Sequence, residues 1–387
     1  MGTNRAKVAV LKTRPETVLQ DYARLMKLAE FEKFLSKAVP TILKVNLSWQ
    51  KYYPACSTAP WQLEAVTKTL LDSGYKNLIA GHNGTVVVDS HLGERNNRQR
   101  PVQDRYGVKT VHLTDPETEW MRYEPKGKML ILDKVYPQGI FIPRLFPGKN
   151  VVHLPTVKTH VFTTITGAMK NAFGGLLNYQ RHWTHSVIHE TLVDLLRIQR
   201  EIHPGIFAVM DGTIAGDGPG PRAMRVYVKN YVLASGDPVA IDAISAKMQG
   251  FDPLKLDFIR LAHEQGLGVG DPKEIEVLGE DISGVNFKFQ EGDTFASRGQ
   301  KMIYHGILKP FEHLLLRSPI VPWSYFASNI YYNILWYPLV GYWRTRKMLR
   351  SEWGRLFLSY PRNSSQATLE AHPASNSAAE LLTFPRQ

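Results

Sequence analysis

Short apolar runs alternate with stretches of helical period through the first 115 residues, and this alternation narrows the fold more than any single motif does. Residues 6–11, 41–47, 77–81 and 109–113 read as buried strands. Residues 15–35 read as a helix with Leu19, Tyr22, Leu25, Met26 and Leu28 on its apolar side, and residues 60–71 as a second helix closed by Gly74. Strands separated by helices of this length pair in parallel. The prediction is an α/β fold with a mostly parallel βαβ sheet and ligands at the carboxyl ends of its strands.

Residues 115–148 are shorter-ranged, with strand candidates at 129–132 and 139–142 interrupted by Pro137, Pro143 and Pro147, as in a β insertion. Beyond them come a buried strand at 150–155, an amphipathic helix at 184–202, strands at 206–210, 227–233 and 274–278, and helices at 238–248 and 256–263. The expected organisation is one α/β domain over 1–300 with lobes at 1–148 and 149–300, then a helical, aromatic-rich arm at 301–361 and a disordered tail at 362–387. A hydrophobic fraction of 43% suffices for cores of that size.

The stretch 157–175, V-K-T-H-V-F-T-T-I-T-G-A-M-K-N-A-F-G-G, sets Lys158, His160, Lys170 and Asn171 among hydroxyls and glycines directly after a buried strand. Buried Lys and His need partners or a shifted protonation state, so this mixture predicts a site for an anion, a metal or a cofactor. A solvated loop with snorkelling lysines is the competing reading. Alternation along an extended segment puts Lys158 and His160 on one side. Thr166 and Gly167 open a helix whose first amides are expected to attract an anion. Lys44 and Asn46 share a side at the carboxyl end of the second strand, where with Lys158 and Lys170 they are expected to ring a carboxylate or phosphate.

In R-H-W-T-H-S-V-I-H, His185 and His189 have the i, i+4 spacing of metal ligands without a zincin's intervening Glu, and His185 follows an expected N-cap, Thr184. Surface or capping histidines explain the same pattern. Asp211 is expected to end a strand ahead of the turn D-G-T-I-A-G-D-G-P-G-P, where a carboxylate can orient a lysine, bind a cation or act as a base. Asp237 heads D-P-V-A-I-D as an N-cap, whereas Asp242 has no capping role in that helix. His82 and Asn83 of G-H-N-G are lesser candidates. There is no P-loop, no G-x-G-x-x-G after a strand and no G-x-S-x-G elbow, which argues against triphosphate, ordinary dinucleotide and serine-hydrolase chemistry.

Taken in order, I-L-K-V-N-L, L-P-T-V-K-T-H, T-G-A-M-K-N-A-F-G-G, D-G-T-I-A-G-D-G-P-G and A-S-G-D-P-V-A-I-D resemble a family of domains of unknown function, DUF362, over residues 44–249. The resemblance implies no single activity. Many members append a ferredoxin-type cluster module, so here it implies a separate ferredoxin-like partner. A second likeness is to the lactate racemase family of nickel-pincer enzymes, through His160, Thr166-Gly167, Lys170 and His185. It implies a nickel-pincer-type nucleotide tethered at Lys170, with His185 as metal ligand and His160 as acid/base group, although K-N-A-F stands where that family has G-G-K.

Cys56 is the only cysteine, which excludes an internal disulfide, a cysteine-held iron–sulfur cluster and a Cys-rich zinc site, and fits a reducing compartment. Residues 1–12 lack a secretory apolar core, so the expected location is cytoplasmic. The net charge of +12 concentrates late in the chain, where 301–362 holds nine Lys or Arg against Glu312 and Glu352. Residues 318–343 contain no charged residue over 26 positions, are dense in Trp and Tyr, and precede Arg344, Arg346, Lys347 and Arg350. Pro319, Pro322 and Pro338 spoil a spanning helix. This composition predicts an interfacial helix or shallow hairpin at 310–360, peripheral at the inner face of an anionic membrane; the alternative is an arm packed on the domain or on a second subunit. The aromatics are not interleaved with the cations, which argues against nucleic acid.

Two function classes remain. One is a cofactor- or metal-dependent isomerase or oxidoreductase that binds a small anionic substrate or a metal-containing cofactor between Lys44, Lys158, His160, Lys170, Asn171 and Asp211. The other is a non-catalytic, membrane-peripheral binding or electron-transfer accessory protein.

Overall fold

The buried runs form strands because helices cover both faces of the sheet they build. A computed structural model describes residues 5–84, 88–304, 306, 309 and 330–362. Its main sheet has ten strands and follows the path β12 (Ile275–Gly279), β1 (Ala6–Lys12), β11 (Arg225–Ser235), β10 (Ile206–Asp217), β7 (Asn150–Leu154), β2 (Thr41–Val45), β3 (Leu78–His82), β4 (Lys109–His112). β8 (Thr156–His160) continues past Pro155 alongside β10, and β9 (Thr164–Ile165) folds back on it. β11 is antiparallel to both its neighbours, β8 and β9 are antiparallel, and the other pairings are parallel. The fold is α/β with a mostly parallel mixed sheet. β5 (Trp120–Tyr123) and β6 (Ile140–Pro143) form a separate antiparallel pair.

Alternation along each strand divides the apolar residues between two cores. Val8, Val10, Ile42, Ala208 and Met210 face one core, closed by α6 (Ala168–Leu176), α7 (Ile188–Ile202), α8 (Pro238–Gln249) and α9 (Asp257–Glu264). Ala9, Leu11, Leu43, Val45, Phe207 and Val209 face the other, closed by α1 (Val18–Leu28) and α2 (Pro60–Asp72). α3 (Ser90–Asn96) and α4 (Arg100–Arg105) lie between β3 and β4.

Four local readings of the sequence are corrected, each for a physical reason. Residues 129–132 do not make a strand: the Asp194 carboxylate accepts the amides of Leu130, Ile131 and Leu132 at 2.7, 2.9 and 3.0 Å, and the short helix α5 (Leu132–Val135) follows. The glycine-rich segment after Asp211 is strand as far as Asp217, because β11 pairs along it with a register shift between Gly212 and Ile214. Asp211 therefore sits mid-strand. α7 starts at Ile188 after a 3₁₀ stretch, Tyr179–Val187, in which the Thr184 hydroxyl donates to the Arg181 carbonyl and caps nothing. His185 and His189 accordingly do not share one α-helical face. The first helix ends at Leu28, where Glu30 takes a left-handed conformation (φ 54°) before a 3₁₀ turn at Phe31–Lys33.

The described part of the arm packs on the domain. The helix α10 (Phe295–Tyr304) opens it, and a π-helical segment, Ile330–Gly341, is followed by α11 (Tyr342–Leu349) and α12 (Glu352–Ser359). Trp336 and Tyr337 rest on Trp49 with ring centroids at 6.2 and 5.2 Å, Phe357 stacks on Tyr52 at 3.7 Å, and Trp353 lies 5.1 Å from Trp61. Polar tips of these rings are satisfied: Trp353 Nε1 donates to Asn230 Oδ1 (2.7 Å) and the Tyr360 hydroxyl to Glu64 Oε2 (2.6 Å). The Arg98 guanidinium donates to the carbonyls of Phe357, Leu358 and Tyr360 and so ties the last helix down. Among the described residues no helix is long and apolar enough to cross a membrane. The expected tail beyond 362 and residues 310–329 of the arm lie outside the described residues.

Candidate functional site

The parallel strands bring their carboxyl ends to one edge of the sheet, and a cavity of about 660 Å³ opens there. β2 delivers Lys44 and, just after it, Asn46; the loop after β3 delivers Asn83; β8 ends in His160. α6 contributes Lys170 and Asn171, the 3₁₀ stretch contributes Arg181, His182 and His185, and the loop after β10 contributes Arg222. Tyr332 of the π-helical segment completes the wall. Among the described lining residues there is one carboxylate, Asp115, and it is hydrogen-bonded to His91 Nε2 at 3.1 Å.

Lys44 can enter the cavity because α6 has a glycine opposite it: a Cβ on Gly175 would stand 2.7 Å from Lys44 Cε. Lys44 is 3% exposed and its Nζ donates to the Val45 carbonyl at 2.7 Å, which leaves two of its three donors for a ligand. Lys170 Nζ lies 4.1 Å from the centre of the Phe173 ring and makes no hydrogen bond among the described residues. Burial first, and the neighbouring Arg181 charge second, push both amines down to about 7. Asn171 Nδ2 donates to the Lys44 carbonyl at 2.8 Å and so fixes α6 against β2. Asn83 is 5% exposed, yet neither its Oδ1 nor its Nδ2 has a partner among the described residues. A carboxamide buried without partners costs several kcal/mol, roughly 2 to 4, unless a ligand or water satisfies it.

Two of the three cavity imidazoles, those of His160 and His185, are held in complementary tautomers. The Phe162 amide donates to His160 Nδ1 (3.1 Å), so the neutral ring carries its proton on Nε2. His185 Nδ1 donates to the His182 carbonyl (3.0 Å), which leaves Nε2 with a lone pair. Burial, then the charge of Lys170, holds His160 well below its ordinary range and His185 at about 3. Both rings pack on Phe162, with centroids at 5.9 and 5.4 Å. One imidazole donor and one imidazole acceptor thus stand beside a cluster of cations.

Of the residues singled out in the sequence, Lys44, Asn46, His160, Thr166, Gly167, Lys170, Asn171 and His185 line this cavity. Lys158 and Asp211 do not. Lys158 is buried beneath it, with Nζ on Thr156 Oγ1 at 2.5 Å; burial pushes its amine to about 8, and the nearby Cys56 thiol opposes that shift. Asp211 belongs to the opposite core, where its carboxylate accepts from Tyr22 (2.6 Å), Trp61 (2.8 Å) and both the amide and hydroxyl of Thr213 (3.0 and 2.8 Å). The first amides of α6 are also taken. Asp242 accepts from Ala168 and Met169 at 2.6 and 3.0 Å, so a side chain of α8, and no ligand, caps that helix. Gly167 is required for this approach, since a Cβ there would lie 2.2 Å from Asp242 Oδ1. His189 accepts the Phe258 amide at 3.3 Å, and among the described residues no three His, Cys, Asp or Glu converge to hold a metal ion.

A family model described as Domain of unknown function (DUF362) matches residues 41–247, more than half of the chain. The chain belongs to DUF362. No curated protein and no solved structure matches it, and nothing found supports a likeness to lactate racemase. The DUF362 span supplies Lys44, Asn83, His160, Lys170, Arg181, His185 and Arg222, while Tyr332 reaches the same cavity from beyond it. Arg181 and Arg222 escaped the sequence reading. Arg181 opens the R-H-W-T-H segment read only for its histidines, and Arg222 ends G-D-G-P-G-P-R, read only as a turn.

Proposed function

We propose that the cavity of this DUF362 chain binds a small polyanion, a metabolite bearing phosphate or several carboxylates, and orients it with His160 Nε2 as hydrogen-bond donor and His185 Nε2 as acceptor. The observation that carries the reading is the imbalance of charge: Lys44, Lys170, Arg181 and Arg222 line a volume of about 660 Å³ whose one described carboxylate is already hydrogen-bonded to His91. The orphaned carboxamide of Asn83 supports a ligand with hydrogen-bonding capacity at the same place. Arg forks suit planar or tetrahedral oxyanions, and the lysines supply point charge. The His160 Nε2 proton suits a ligand oxygen and the His185 Nε2 lone pair a ligand hydroxyl, so the two neutral rings fix the ligand's orientation by hydrogen bonds.

The lysines give this reading a definite pH dependence. In the empty cavity their amines titrate at about 7. A bound polyanion favours the charged forms, so binding takes up protons, and affinity rises as pH falls from about 9 to about 6. The same shift makes the empty protein lose stability as pH falls from the unfolded lysine value, about 10.4, toward 7, because only the unfolded chain gains the protons in that window. Calorimetric titration with pyrophosphate and with citrate, in buffers of different ionisation enthalpy, tests the first, and urea unfolding between about pH 7 and 10 the second. Net proton uptake at pH 8 is expected; tight binding with no proton uptake, or no binding of either anion, defeats the reading.

A further inference from the structure

The π-helical segment Ile330–Gly341 has two unlike sides. Tyr332, Trp336 and Tyr337 turn inward onto Trp49, whereas Ile334, Leu335, Leu339 and Trp343 are 63, 50, 70 and 63% exposed. Leu335, Leu339 and Trp343 follow one another at intervals of four and continue into exposed Lys347 and Arg350. Residues 330–351 contain four cations, Arg344, Arg346, Lys347 and Arg350, and no acidic residue. Single exposed apolar residues are ordinary; four within ten positions, beside aromatic rings already packed on Trp49, are not.

We infer that this face docks on the surface of an anionic lipid bilayer, with Leu335, Leu339 and Trp343 inserted at the headgroup boundary and Lys347 and Arg350 on the lipid phosphates. Charge decides the occupant. A second copy of the chain would set these cations against one another, whereas an anionic surface complements them. Trp at the apolar edge and cations beside it are the arrangement that an interfacial helix requires, and the packed inner side means that docking needs no refolding of residues 330–341. The face is separate from the cavity lining apart from Tyr332, so it stands whether or not the cavity binds a polyanion.

Vesicle flotation of the full chain tests this. The chain is expected to float with vesicles of equal parts phosphatidylcholine and phosphatidylserine, to stay behind with phosphatidylcholine alone, and to be released by high salt. Replacing Leu335, Leu339 and Trp343 together by Ser is expected to lower partitioning about tenfold or more, as is the pair Lys347→Glu with Arg350→Glu. Both variants change exposed side chains, so their melting temperatures should match the wild type; the charge-reversed pair still decides the matter if the serine variant melts early. The inference is overturned if the wild type does not float, if the charge-reversed pair floats like the wild type, or if sedimentation shows the face joining two copies of a chain that ignores lipid.

Discussion

Replacing Lys44 and Lys170 together by Met is expected to weaken polyanion binding by about hundredfold or more, roughly 2.7 kcal/mol, while leaving the fold at least as stable. Each amine in the desolvated cavity offers a charge-assisted hydrogen bond of about 1.5 to 3 kcal/mol to an oxyanion, so losing two is a large fraction of a metabolite's binding energy. Met keeps the apolar stem that passes Gly175 in one case and lies on Phe173 in the other. It also removes two groups whose charged forms burial disfavours. Stability and affinity should therefore move in opposite directions, or stability not at all. Calorimetry and a urea melt on the same preparation read both. A variant that binds as tightly as the wild type would show that these lysines do not face the ligand.

Asp211→Ala is expected to do the reverse: lose about 3 to 5 kcal/mol of stability and keep its affinity for the anion. The carboxylate receives four donors in a closed core, and beside it the structure leaves a space of only about 20 Å³. Removing it strands the Tyr22 hydroxyl, the Trp61 indole N–H and the Thr213 donors together. Burial pushes the Asp211 carboxyl up and these donors pull it back, which is the behaviour of an enclosed structural group. A folded variant that melts like the wild type but has lost binding would place Asp211 in the functional machinery after all.

The comparison between these two acids shows what could be read in the sequence. The sheet was legible because its strands are buried on both faces and read as unbroken apolar runs, so 41–45, 78–82 and 150–154 appear almost to the residue. Lys44 and His160 are legible for the same reason, being polar groups where such runs end, and Lys170 and Asn171 because they are polar groups in the otherwise apolar run of α6. Asp211 misled because glycines and aspartates after a strand imitate a turn, while the partner strand that keeps 211–217 extended lies at 225–235 and leaves no mark on the local pattern. Asp242 was conspicuous as a buried acid without a local role; its role is to cap α6, more than sixty residues away in sequence. The arm resisted for another reason. Trp and Tyr suit a protein core and a lipid interface equally, and only packing tells Trp336, which faces Trp49, from Trp343, which faces outward.

If Lys44, Lys170 and Arg181 converge on one bound anion, a crystal structure grown with pyrophosphate will show phosphate density within hydrogen-bond reach of both lysine Nζ atoms and the Arg181 guanidinium, with the Asn83 carboxamide satisfied by the ligand or its waters. Pyrophosphate bound elsewhere on the chain, with this cavity filled only by water, would contradict that convergence.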